Sequence, residues 1–222
     1  MVLELKGIKK SFRKKSTLID INLSVEKGSI VGLLGRNGSG KSTLLSILAG
    51  VQKSDEGEFL LNGANLFEQK KLRSEKVGYI PQGTPLLEEL SAYDNLLLWY
   101  TKEALKKELK TGVLKMLGVD EFIKVPVSKM SGGMKKRLSI GCSVARNPEI
   151  LLLDEPTAAL DLICKEKIAS YLRDCREKGK ILLLATHDEA ELELCDKLYI
   201  LKDGKLCDFS YNGNISELVE SL

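Results

Sequence analysis

Gly35-Arg36-Asn37-Gly38-Ser39-Gly40-Lys41-Ser42-Thr43 is the stretch whose reading settles the fold class. It satisfies the pattern GxxxxGK[ST], whose fixed positions would arise by chance in only about one chain in a hundred of this length at average residue usage. Before it, residues 30–34 read as a short buried strand; after it, Leu44, Leu45, Ile47, Leu48 and Ala49 make an apolar helix that stops at Gly50. Strand, glycine-rich turn and helix in that order bring backbone N–H groups and the positive end of a helix dipole to one point. A triphosphate is the anion that suits such a point. Gly35, Gly38 and Gly40 keep side chains out of its way, with Arg36, Asn37 and Ser39 completing the loop. Lys41 would reach the β- and γ-phosphates, the Ser42 hydroxyl would be a ligand of a bridging Mg²⁺, and Thr43 would support the α-phosphate end.

Working outward, Ile150-Leu151-Leu152-Leu153-Asp154-Glu155 is an aliphatic strand ending in two acids, which places both at the carboxyl edge of a parallel sheet, where ligands bind in this architecture. Asp154 would help hold Mg²⁺, directly or through water, and Glu155 would act as general base on an attacking water. The competing reading is that both acids cap the helix after Pro156. The rest of the last third alternates: a helix at about 162–178, a strand at 181–185, a helix at about 189–195, a strand at 197–201, and a turn at Asp203-Gly204. His187, the only histidine, follows the 181–185 strand and so reaches the same edge as Glu155.

The first third reads differently. Val2, Leu3, Leu5 and Ile8 are apolar, Ile21, Leu23 and Val25 alternate with polar residues, and Phe59-Leu60-Leu61 runs into Asn62-Gly63, a hairpin signal. Antiparallel strands are expected here. Residues 85–146 turn helical: Ser91 with Asp94 resembles a helix start, and Leu105, Leu109, Val113 and Leu117 recur at four-residue intervals, as in one amphipathic helix with its lysines, from Lys102 to Lys115, in solvent.

Composition bounds the alternatives. A 222-residue chain with 43% hydrophobic and 29% charged residues is neither disordered nor collagen-like. A net charge of +3, from 34 basic and 31 acidic residues, argues against nucleic acid as a partner. The five cysteines are odd in number and show no CxxC spacing, which fits a reducing cytosol. No run is long enough for a signal peptide or a membrane span, the longest aliphatic one being 181–185.

Ser131-Gly132-Gly133-Met134-Lys135-Lys136-Arg137 is a second glycine pair ahead of an apolar run, and it too could offer a helix terminus to phosphate. One nucleotide needs only one such loop. With Met130 and Met134 in place of leucine and glutamine, this segment resembles the LSGGQ signature of ATP-binding cassette (ABC) ATPases. In family order the chain also carries Gln82 in Tyr79-Ile80-Pro81-Gln82, the Asp154-Glu155 strand, Ala158-Ala159-Leu160-Asp161 and His187. The resemblance covers essentially all of the sequence. It implies an α/β fold with a phosphate-loop (RecA-like) core, an antiparallel β-subdomain and an inserted helical subdomain at about 84–146, together a single ABC ATPase domain over 1–222.

The resemblance further implies a head-to-tail dimer, with itself or a related ATPase, in which ATP on one phosphate loop is covered by Ser131, Gly132 and Gly133 of the other subunit. ATP would close this dimer and hydrolysis open it. Gln82 would sense Mg²⁺ or water, His187 would contact the γ-phosphate and orient Glu155, and Asp161 would act across subunits. Met134 for glutamine and Ala158 for the usual D-loop serine depart from the pattern. Phe12, among Lys9, Lys10, Arg13, Lys14 and Lys15, would stack on adenine; packing within the β-subdomain is its other reading. SGGMKKRL and the segment from Thr186 to Leu206 resemble ABC-2-type exporters, which implies separately encoded transmembrane permease subunits and a place on the cytoplasmic face of the membrane. Two rivals stand: a soluble ABC ATPase in a cytosolic process such as iron–sulfur cluster assembly, and a small-molecule kinase, which would leave the second glycine turn unexplained.

Overall fold

The computed structural model describes residues 2–13 and 15–222, so Lys14 of the basic stretch around Phe12 lies outside the described residues. In chain order come β1 (Val2–Phe12), β2 (Lys15–Glu26), β3 (Ser29–Leu34), α1 (Lys41–Ala49), β4 (Glu56–Leu61), β5 (Ala64–Asn65), α2 (Lys70–Lys76) and β6 (Val77–Ile80). Then follow α3 (Ala92–Leu97), α4 (Lys102–Thr111), α5 (Val113–Met116), two short 3-10 turns and α6 (Gly132–Ser143). The chain closes with β7 (Ile150–Asp154), α7 (Leu162–Glu177), β8 (Ile181–Ala185), α8 (Glu189–Leu192), β9 (Lys197–Lys202), β10 (Lys205–Phe209) and α9 (Ile215–Ser221).

These strands form two sheets. The first has the order β2-β1-β4-β5 and is antiparallel throughout, as alternation in the first third predicts. Its β4–β5 turn is Asn62-Gly63, both with positive φ (50° and 83°), the backbone form that favours this pair in hairpins. The second sheet has the order β10-β9-β3-β8-β7-β6, parallel from β9 to β6, with β10 antiparallel at one edge.

Burial on both faces explains why the central strands read as unbroken aliphatic runs. Ile150 and Leu152 face α1 and the antiparallel sheet, packing with Leu44, Leu48, Leu5 and Leu23. Their neighbours Leu151 and Leu153 point the other way, into a second core with Leu138, Ile140, Ile168 and Leu172. Beyond its polar first turn, helix α1 buries Leu44, Leu45, Ile47 and Leu48 in the core shared by the two sheets, and it ends at Gly50 with φ 83°, an αL cap.

Strands β6 and β10 and helix α9 have no counterpart in the sequence reading, and three further departures have a physical reason. The series Leu105 to Leu117 is two helices rather than one: α4 stops at Thr111, and after Gly112 the Glu108 carboxylate accepts the Val113 N–H at 2.8 Å. The glycine breaks the helix while the spacing survives, since Leu105 and Leu117 are both buried. The helix expected at 189–195 is one turn, Glu189–Leu192, and Cys195 instead packs over Gly32 of β3. Finally, α2 has no counterpart in the sequence reading: none of its residues is buried, so it carries no apolar period.

Candidate nucleotide site

Parallel strands in register end at one edge, and the candidate residues lie there because of it: the phosphate loop after β3, Gln82 after β6, Asp154 and Glu155 at the end of β7, His187 after β8. A cleft of about 360 Å³ opens at this edge, lined by Asn37, Gly38, Gly40, Lys41, Ser42, Thr43, Gln82 and Glu155.

The loop is shaped for an anion. Gly35 and Gly40 have φ 147° and 114°, and a Cβ on Gly35 would lie 2.6 Å from the Leu201 carbonyl oxygen. Over Gly38 a Cβ would meet nothing within 4 Å, so the backbone there is open to a ligand. Helices α3, α4, α6 and α7 are capped by Ser91, Thr101, Ser131 and Asp161, whereas α1 starts with no side-chain cap. Its first-turn N–H groups therefore have no side-chain acceptor. Ser39 Oγ, also in the loop, is buried without a hydrogen-bond partner. Uncapped amides and an orphaned hydroxyl fit a polyphosphate.

Lys41 is 6% exposed, and its Nζ donates to the carbonyls of Gly35 (2.5 Å) and Arg36 (3.3 Å). Burial lowers its pKa, with Glu155 and Asp154 pulling it back up. Asp154 is buried beside the Ser42 hydroxyl; burial raises its carboxyl pKa, and the Ser42 hydrogen bond works against that shift. One carboxylate and one hydroxyl at the foot of a phosphate loop form an oxygen donor set suited to Mg²⁺ shared with phosphates.

Glu155 follows the strand with φ 47°, a left-handed conformation held by its N–H to the Ala185 carbonyl at 2.8 Å. Its Oε2 accepts from Gln82 Nε2 at 2.9 Å. The His187 pKa is lowered by burial and then by the Lys41 charge, while Glu155 opposes, so the imidazole feels the same charges as the cleft. The reading of Asp154 and Glu155 as caps fails, because α7 is capped by Asp161, whose Oδ1 accepts the Cys164 N–H at 2.8 Å. That bond holds the Asp161 carboxyl below the usual carboxylate range.

Other candidates stand apart from the cleft. Ser131, Gly132 and Gly133 open α6, and none lines it; a Cβ on Gly132 would meet nothing within 4 Å, while Gly133 packs against Cys164 beside Asp161. Phe12 is 45% exposed at the β1–β2 tip, with Lys10 Nζ 5.4 Å from its ring centre, so it is not packed in the β core. The same hairpin reaches the phosphate loop, since a Cβ on Gly40 would lie 3.0–3.1 Å from Leu18 and Thr17. One residue escaped the sequence reading. Lys136, 5% exposed on α6, donates from Nζ to the Pro81 carbonyl at 2.7 Å and the Gln82 carbonyl at 3.3 Å, and burial pushes its pKa down to about 8.

Comparison with known proteins agrees with this geometry. The ABC transporter family model matches residues 18–158. The linearmycin resistance ATP-binding protein LnrL of Bacillus subtilis is 33% identical over 210 residues, 92% of this chain and 68% of that protein. The probable sulfate/thiosulfate import ATP-binding protein CysA of Chlorella vulgaris is 34% identical over 223 residues, 98% and 94% of the two chains. A dimeric ATP-binding cassette in a post-hydrolysis state, bound to ADP and Pi, superposes with a TM-score of 0.84 at 30% identity, over 96% of this chain and 100% of that one. The phosphate loop, the acidic strand end and these relatives agree, and the chain belongs to the ABC transporter family as an ATP-binding, ATP-hydrolysing subunit.

Proposed function

We propose that this cassette hydrolyses ATP between head-to-tail partners, itself or a related chain, at the cytoplasmic face of a membrane, and so powers an exporter whose spanning subunits are separate polypeptides. The observation that carries this reading is the separation of the two glycine turns. The phosphate loop lies in the cleft, whereas Ser131, Gly132 and Gly133 present an open helix start outside it. Each copy thus offers two half-sites that a second copy can complete. Among the described residues no helix is long and apolar enough to cross a membrane. Export is favoured by the SGGMKKRL wording and by the resistance function in the name of the Bacillus subtilis relative, against the import function named for the Chlorella vulgaris one.

In this reading the loop amides, Lys41 and Thr43 bind the phosphates, and Phe12 stacks on the base. Ser42, Asp154 and Gln82 would hold Mg²⁺, which when bound offsets charge between the β- and γ-phosphates. Glu155 takes the proton of the attacking water, Gln82 and His187 fix the positions of carboxylate and water, and Asp161 with Ser131, Gly132 and Gly133 meets the partner's nucleotide.

Complementation between inactive variants tests the shared site. Lys41→Met removes the phosphate-loop charge and Ser131→Arg blocks the helix start, so each variant alone should be inactive. A mixed dimer keeps one intact composite site, and recovery of ATPase on mixing is expected. No recovery refutes the shared site. Purification from detergent-solubilised membranes should bring down a stoichiometric membrane-spanning subunit, and its absence refutes the transporter assignment.

A further inference from the structure

The segment that carries Gln82, residues 81–90, is irregular, and its anchors come from the helical part of the chain. At its far end, Asn95 of α3 brackets Leu87, accepting its N–H at 2.9 Å and donating to its carbonyl at 3.1 Å, while Lys135 of α6 pairs with Glu88 at 2.8 Å. At its near end the carbonyls of Pro81 and Gln82 receive no backbone N–H among the described hydrogen bonds; their donor is Lys136 Nζ. This ammonium supplies to the two carbonyls the donor that a strand partner's N–H would otherwise give.

We infer that Lys136 is a positioning residue, which holds the Gln82 backbone so that the Gln82 amide in turn fixes the Glu155 carboxylate. The route is short and continuous: Lys136 Nζ to the Pro81 and Gln82 carbonyls, then Gln82 Nε2 to Glu155 Oε2 at 2.9 Å. A buried ammonium costs free energy to desolvate; here the negative charges of Asp154, Glu191 and Glu155 offset part of that cost, and the two loop carbonyls accept its hydrogen bonds. Lys136 also lies on α6, whose N-cap is Ser131 and whose first turn holds Gly132 and Gly133. A rigid helix therefore joins the turn that meets a partner's nucleotide to the loop that positions this chain's own general base. The inference rests on the proposed role of Glu155, and it assigns to the second lysine of SGGMKKRL a task that the signature turn itself does not perform.

The experiment is a steady-state ATPase cycle on the dimeric protein with Lys136→Met, Lys136→Arg, Gln82→Ala, the Lys136→Met/Gln82→Ala double variant and Glu155→Gln. Methionine keeps the aliphatic stem and loses the donors. Lys136→Met is expected to lower kcat by about ten- to a hundred-fold, as misplacement of a reacting group does, with the KM for ATP within about two-fold. Lys136→Arg, which keeps donors, should restore most of kcat. In the Gln82→Ala background the lysine change should cost little more, since the two act in series. Multiplying losses, no rescue by arginine, or a fall that follows the melting temperature would overturn the inference. If Lys136→Met does not fold, Lys136→Leu, which also lacks a donor, takes its place in the cycle with the same expectations. Full turnover in Glu155→Gln would instead sink the site assignment itself, whereas a dead Glu155→Gln with an unaffected Lys136→Met sinks only the role of the lysine.

Discussion

Replacing Glu155 by glutamine isolates proton acceptance from every other property of that position. The side chains match in size, so the φ of 47° and the N–H bond to Ala185 are unaffected by the change. The amide oxygen can still accept from Gln82 Nε2, now 2.9 Å from Oε2. What disappears is the basic oxygen and one negative charge facing Lys41. A positioned general base contributes about 10²- to 10⁴-fold, so kcat should fall by that factor, about 3–5 kcal/mol of transition-state stabilisation at 1.36 kcal/mol per decade. ATP affinity should be kept or rise, because a carboxylate near the phosphates is removed while Lys41, Ser42 and the α1 amides remain. The assay is single-turnover phosphate release alongside equilibrium binding of a fluorescent ATP analogue, with sedimentation velocity to detect an ATP-held dimer. Turnover within about three-fold of the parent protein, or loss of ATP binding together with turnover, would refute the reasoning, since the general-base contribution would then be below its usual range.

Lys41→Met should weaken ATP binding by about 10- to 100-fold, the usual worth of a charge-assisted hydrogen bond, and isothermal titration would show it; unchanged affinity would remove Lys41 from the phosphate site. The single His187 makes its imidazole directly observable by NMR, and its titration midpoint should fall below the ordinary 6.5, because burial and the Lys41 charge both disfavour the imidazolium. Added ATP, bringing negative charge, should move that midpoint upward; a midpoint at or above 6.5 in the free protein contradicts the geometry. Leu152→Ala, at 0% exposure on β7 in the core shared with α1, should cost about 2–5 kcal/mol in urea unfolding, whereas Leu162→Ala, 83% exposed at the start of α7, should change stability by less than about 0.5 kcal/mol.

The phosphate loop, the acidic strand end and the α/β alternation were legible because each is a local pattern. GxxxxGK[ST] encodes its own turn, and four aliphatic residues in a row mean a strand covered on both faces. Asn62-Gly63 encodes its hairpin through two positive φ angles. By contrast α2, with no buried residue, gives no period to read, and Gly112 interrupts a helix whose four-residue spacing looks continuous.

Local chemistry along the chain thus determined the sheet type, the phosphate-binding loop and the identity of the acids, because strand burial, turn geometry and helix dipoles act over a few residues. Only the tertiary structure decided that Gln82, more than seventy residues from Glu155, hydrogen bonds to it, that Asp161 rather than Asp154 or Glu155 caps α7, and that Lys136 is buried against the Gln82 loop. Those pairings depend on strand order, β6 beside β7 and α6 packed across them, which is set by the summed packing of two cores and leaves no signature at any single position.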